Sequence, residues 1–291
     1  LDIWTSTQDP LGTRAVAAKV AGVSRADVTV HALHLGGGFG RRTPGAFNYV
    51  EDAAHIASQV NYPVKLQWSR EEDIRHDHFR PAGKARLKAI TGADGYPVFF
   101  RHIYTDIGFN QDQAAAFIPY AIPNQRIGRV THAVNVPLGY WRSVEHSYKG
   151  FFIESFVDEL AHNAGADALA YRLRLLAQAP RFQRALQRAA DLIGWDKATP
   201  TGNGKGIAVK ESFGTIVAEA AEVAITAAGT IKVLRICAAV DAGEIVHPDN
   251  ARAQVEGGIL FGLGAALKGR ISLSNGRVEQ GNFDDYQVLT M

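Results

Sequence analysis

Apolar positions along the chain recur sometimes every second residue and sometimes with helical spacing, so strands and helices are both predicted. A short strand is expected over residues 2–8, ending in Ser6-Thr7-Gln8. Asp9 followed by Pro10 reads as an N-cap and first helical residue. That helix should run to about Val20 and stop at Gly22. The alternating run Val28-Thr29-Val30-His31-Ala32-Leu33-His34 reads as a strand entering the stretch Leu35-Gly36-Gly37-Gly38-Phe39-Gly40-Arg41-Arg42. Phe47, Val50, Ala54 and Ile56 predict a helix over 46–60, closed by Asn61 before Pro63. A strand is expected over 64–68, and Arg70-Glu71-Glu72-Asp73 reads as a charged turn. Residues 84–90 and 98–104 flank Ala93-Asp94-Gly95, a hairpin signal.

Residues 114–124 are apolar with two prolines and read as a loop or short helix. A strand over 126–136 leads into the irregular run Pro137-Leu138-Gly139-Tyr140-Trp141-Arg142-Ser143. Ile153, Phe156, Val157 and Leu160 share one face of a helix over 151–161, whose acidic Glu154, Asp158 and Glu159 read as its solvated side. Asp167 should cap a helix over 168–176, and another follows over 182–193. A polar link over 202–206 precedes strands at Ala208-Val209, 216–226 and 231–240, with Ala228-Gly229 as a turn. Pro248 opens a long helix to about Leu267. Its Gly257, Gly258, Gly262 and Gly264 cost helix propensity, which points to close packing of a backbone or ligand. A hairpin around Asn275-Gly276 ends the pattern. Strands and helices without strict alternation predict an α+β fold of mixed sheets and packed helices. The expected domains are residues 1–145 and 146–291.

Composition narrows the classes. With 31 basic and 29 acidic residues, no surface for nucleic acid is implied. No apolar run is long enough to span a bilayer. The one cysteine, Cys237, excludes an internal disulfide framework and a cysteine-held iron–sulfur cluster, and reads as a buried strand residue. There is no initiator methionine, and both ends resemble cuts through structure, so a fragment is expected and the compartment stays open.

The glycine stretch carries the candidate chemistry. Dense glycines allow positive φ and close approach, and Phe39 among them has no obvious core to fill. A plain strand-to-helix turn is one reading. A nucleotide loop is weakly supported, because the order is not G-x-G-x-x-G and no Gly-Lys-Ser/Thr follows. A loop holding a large organic cofactor by its backbone is the third, with Arg41 and Arg42 adding positive charge near an anion. His31-x-x-His34 places its imidazoles on opposite strand faces and makes a poor chelate. No acidic pair is picked out for acid–base hydrolysis, and G-x-S-x-G is absent.

G-G-G-F-G after a strand resembles the signature of the molybdenum hydroxylases, the xanthine dehydrogenase and aldehyde oxidase family. The Arg41-Arg42 ending is similar to the branch of the isoquinoline 1-oxidoreductase large subunit and the membrane-associated aldehyde dehydrogenases. Ser6-Thr7-Gln8, Lys65-Leu66-Gln67-Trp68-Ser69-Arg70-Glu71-Glu72, Trp141-Arg142-Ser143, and the run Asp241-Ala242-Gly243 … Gln254-Val255-Glu256-Gly257-Gly258 … Gly262-Leu263-Gly264 match the family in order. The resemblance implies molybdopterin-binding domains and a molybdenum–pterin cofactor, of cytosine dinucleotide form, with no protein ligand to the metal. It places Gln8 at a metal oxygen, Gly37, Gly38, Phe39 and Gly40 along the metal and pterin, and Arg142 near the cofactor. It implies hydroxylation of an aldehyde or N-heterocycle with oxygen from water, electrons leaving to a small 2Fe–2S subunit and onward to a cytochrome c. Arg41-Arg42-Thr43 stands where purine-oxidising relatives carry an acidic residue, which argues against purines. The family's general-base glutamate, in a Gly-Glu-Pro-like segment, has no match here and is expected beyond Met291. A non-catalytic cofactor-binding or assembly subunit is therefore the alternative.

Overall fold

A computed structural model describes residues 1–107 and 116–290. Part of the expected loop over 114–124 lies outside the described residues. The chain forms two compact units: Leu1–Pro81, Val134–Val144 and Leu263–Met291 in the first, Ala82–Ala133 and Glu145–Gly262 in the second.

In the first unit, β1 (Asp2–Thr5) is followed by α1 (Pro10–Ala21). Asp9 Oδ1 accepts from Gly12 N at 2.8 Å, Pro10 fixes the first turn, and Gly22 closes the helix at φ 67°. β2 (Thr29–Ala32) pairs parallel with β1, Ile3 opposite Val30 and Trp4 opposite His31. Ile3 and Val30 pack on Ala17, Ala18, Val28, Val50 and Ala54, so α1 and α2 (Asn48–Ala57) cover that face. On the other face Trp4, 63% exposed, stacks on His31 with ring centroids 4.6 Å apart.

The strand expected over 64–68 is absent; those residues are irregular. The charged turn after them is instead a helix, α3 (Arg70–His76). Ser69 Oγ accepts from Glu72 N at 3.2 Å, and acidic residues fill the first turn while Arg75 and His76 fill the last. Capping and macrodipole complementarity thus make a helix where composition suggested a turn.

The second unit holds two three-stranded sheets. β3 (Gly83–Thr91) and β4 (Pro97–Asp106) form the expected hairpin, and β5 (Asn124–Thr131) joins β4 in parallel. The strand ends at Thr131 rather than continuing to 136. Three helices follow: α4 (His146–Asn163), α5 (Ala168–Leu175) and α6 (Pro180–Ile193). Asp167 caps α5 through Ala170 N at 2.9 Å. The second sheet is the antiparallel meander β6 (Asn203–Ser212), β7 (Thr215–Ile225) and β8 (Ile231–Asp241). Most of the expected polar link is therefore strand, because Asn203 to Gly206 are paired with β7. The core joins Phe100 of β4, Ile153 and Val157 of α4, Leu186 and Ile193 of α6, and Ile207, Val209, Ile216 and Ala218 of the meander. Cys237 is half-buried on β8 rather than buried.

Glu154 is not on a solvated face. It accepts hydrogen bonds from Tyr120 Oη (2.8 Å), Arg172 Nε (3.0 Å) and Val209 N (3.1 Å), and the fully buried Arg172 also reaches Asp158 at 2.6 Å. A paired, hydrogen-bonded charge is one of the few ways a carboxylate goes inside.

The last helix, α7 (Pro248–Leu267), has no buried residue. Gly262 has nothing within 4 Å of a built Cβ, and Gly264 meets only the Leu289 side chain at 3.9 Å. The close packing expected at these two glycines is not seen among the described residues. A small hairpin, β9 (Leu273–Ser274) and β10 (Arg277–Val278), closes the chain. No helix among the described residues is long and apolar enough to cross a membrane.

Candidate cofactor site

Three segments of the first unit meet: the residues after β1, the glycine stretch after β2, and residues 137–144. Gln8 N donates to the Arg42 carbonyl at 3.3 Å, and the Gln8 side-chain oxygen lies directly over Gly38. A methyl group on Gly38 would overlap that oxygen, so the glycine is what lets the amide sit there. The Gly38 carbonyl in turn accepts from Arg41 N (2.8 Å) and Arg42 N (3.4 Å), which closes the loop into a tight turn.

Phe39 has φ 47°, a left-handed conformation uncommon for a bulky residue, and is 51% exposed. Its ring covers Gly37. Gly40, at φ 97°, lies against the carbonyl of Tyr140 and the amide of Trp141, and a side chain there would collide with that peptide. The loop is thus locked against the run that carries Arg142, which is half-buried. Ser143 and Val144 follow at φ 72° and 44°, and Val144 N donates to the Trp141 carbonyl at 2.7 Å. Left-handed backbone at a β-branched valine is costly, of order 1–3 kcal/mol, and such strain clusters at functional sites.

The two arginines expected to add positive charge near an anion are both engaged within the unit. Arg41 Nε donates to both oxygens of Asp77 at 2.8 Å, and Nη2 donates to Asn48 Oδ1 at 2.6 Å. Arg42 lies over the Tyr49 ring, 4.0 Å from its centroid. The charge of Arg41 is therefore balanced by Asp77. Burial pushes the Asp77 carboxyl up, but the Arg41 hydrogen bonds and charge, with the His78 backbone, outweigh it and hold it below the usual carboxylate range. Arg41 Nη1 and Tyr49 Oη remain buried with no hydrogen-bond partner among the described residues.

Gln8, Gly37, Gly38, Phe39, Gly40 and the 140–142 run are thus brought together. Asp77, Asn48 and Tyr49 complete the surroundings and were not singled out by sequence. Nothing in the local pattern links Arg41 to an aspartate 36 positions on. Among the described residues no group of three or more His, Cys, Asp or Glu gathers to hold a metal ion. The donor set is instead backbone amide, carboxamide and guanidinium, lining a glycine cradle with two orphaned buried donors beside it. That set suits a large polar organic cofactor.

Comparison with known proteins gives the same direction. Two models described as molybdopterin cofactor-binding domain match residues 1–176 and 155–291. The chain is 32% identical to isoquinoline 1-oxidoreductase subunit beta of Brevundimonas diminuta, over 100% of this chain and 40% of that protein. It is 28% identical to the membrane-bound aldehyde dehydrogenase [pyrroloquinoline-quinone] of Gluconacetobacter polyoxogenes, over 94% of this chain and 40% of that one. The chain thus spans two fifths of the length of these curated relatives. The crystal structure of quinoline 2-oxidoreductase from Pseudomonas putida 86 shares the fold, with a TM-score of 0.85 at 12% identity over 99% of this chain and 63% of that one. Matched along its whole length, the chain belongs to the molybdopterin cofactor-binding domain family, the family of the molybdenum hydroxylase large subunits.

Proposed function

We propose that the first unit holds the molybdenum–molybdopterin cofactor at the glycine loop, within the large subunit of an oxidoreductase. The observation that carries this reading is the cradle: Gly38 admits the Gln8 carboxamide, Gly40 admits the 140–141 peptide, and a side chain at either would displace what it admits. Gln8 would turn its amide toward the metal end of the cofactor, Gly37, Gly38, Phe39 and Gly40 would line the metal and pterin, and Arg142 would lie beside the cofactor. The bound cofactor supplies two-electron chemistry that places a water-derived oxygen on carbon. The chain's own part is to bind, orient and exclude water. The reading keeps two cofactor-binding domains, 1–145 and 146–291, and a cytosine dinucleotide tail.

Substrate and partners belong to the same proposal. The relatives' names support an aldehyde or N-heterocycle as substrate. A 2Fe–2S subunit, followed by a cytochrome c, would take the electrons. Elemental analysis of the purified full-length protein tests the reading. About one molybdenum per chain is expected, with iron from an accompanying subunit. No molybdenum in protein from a host that loads the cofactor would sink it.

A further inference from the structure

Residues 77–80 belong to no helix or strand, yet each of them touches a wall of the cradle. Asp77 receives Arg41 Nε on both oxygens, tying the end of the glycine loop. His78 lies against Gly139, where a methyl would come within 2.7 Å of His78 Cβ. Phe79 N donates to the Pro137 carbonyl at 2.8 Å, and the Phe79 carbonyl accepts from Gly139 N at 2.9 Å. The Arg80 guanidinium lies 4.0 Å from the centroid of the Trp141 ring.

We propose that Asp77 and Arg80 are positioning residues: the 77–80 strap fixes the spacing between the glycine loop and the Trp141-Arg142 run, and so aims both at the cofactor. This rests on the proposed function. The physical argument is directional. The close approach of Gly40 to the 140–141 peptide resists compression, but dispersion contacts barely resist sliding. A charge-assisted arginine–carboxylate hydrogen bond, two backbone hydrogen bonds and a stacked cation do resist sliding. The Arg41–Asp77 tie is sheltered, with side chains 22% and 17% exposed, so screening removes little of it.

Hydrogen exchange of the full-length protein tests it, read at amides 41, 42, 139 and 144, whose bonds open only when a loop opens. Asp77→Asn should speed exchange by roughly fivefold at 139 and 144 as well as at 41 and 42. Arg80→Gln should do the reverse, loosening 41 and 42 from the far end by roughly fivefold, with Arg80→Lys restoring protection because a cation returns to the indole. Molybdenum retention on dilution should follow the same order. A variant that loosens only its own neighbours, or a lysine that fails to rescue, overturns the strap even when the wild type is loaded. A wild type without molybdenum removes the proposed function, and the positioning role with it, whatever the exchange shows.

Discussion

The two units solve different problems. The second is built for stability: among the described residues, twenty-three buried apolar residues form one cluster, and buried Glu154 and Arg172 stitch α4, α5 and β6 together. The first has five buried apolar residues in its cluster, all small or β-branched. It spends its polar groups on pairwise ties, Arg41 to Asp77 and Arg80 to Trp141, and carries left-handed backbone at Phe39, Ser143 and Val144. The cradle therefore sits where apolar burial is thin and geometry is held by directional bonds. Precision at a site and mass of core are separable, and here they are assigned to separate units.

The largest expected effect tests the stitched core. Glu154→Ala leaves Arg172 buried with Asp158 as its one acidic partner among the described residues, and should cost about 3 kcal/mol or more in urea unfolding. A loss under about 1 kcal/mol would mean that the network is dispensable and the contrast is one of apolar burial alone.

Next comes Gly40→Ala, which adds both a clash with the Tyr140 carbonyl and an unfavourable φ. It should cost at least about 2 kcal/mol, whereas Gly22→Ala, with open space around it, should cost about 1 kcal/mol. Equal losses would show that the loop is not locked against the 140–141 peptide.

Acid should separate the units. His102, on β4, is fully buried with neither ring nitrogen hydrogen-bonded among the described residues. Burial, followed by the charges of Lys149 and Lys210, pushes it down to about 4. Below pH 6.5 the unfolded chain takes a proton that the folded chain refuses, so stability falls between about pH 6.5 and 4 and levels off below. About 3 kcal/mol should be lost in that window, and His102→Leu should flatten it. Asp77 has the opposite sense: its contribution is present above the usual carboxylate range and lost only as pH falls through its depressed value. Denaturant midpoints against pH, with His102→Leu and Asp77→Asn, would separate the two.

The smallest effect on stability is expected at Gln8. Gln8→Ala should change unfolding by less than about 0.5 kcal/mol. In the complete enzyme it should slow turnover by about tenfold or more under the proposed role of its amide at the cofactor. Unchanged turnover would remove Gln8 from the site.

Local signals carried much of this in the sequence. Asp9-Pro10 and Gly22 bracket α1, Asp167 opens α5, and Ala93-Asp94-Gly95 turns the β3–β4 hairpin, because each depends on neighbours within a few residues. The glycine loop was visible for the same reason. What stayed hidden depends on tertiary partners. Glu154 looks solvated until Tyr120 and Arg172 arrive, Arg41 looks available until Asp77 does, and only the fold shows Tyr140 against Gly40. The α3 helix was the avoidable omission, since Ser69 and Glu72 have the capping spacing.

The glycines at 38 and 40 also constrain how such a site can evolve. Every amino-acid change reachable from a glycine codon by one base adds a Cβ, and here each added Cβ strikes the Gln8 carboxamide or the Tyr140 carbonyl. Gly40 is a mutational dead end unless the 140–141 peptide moves with it, whereas a change at Gly38 displaces only the Gln8 carboxamide. Inherited variation in this loop is thereby steered toward Gly36, where a side chain would meet open space, and away from the residues that shape the cradle.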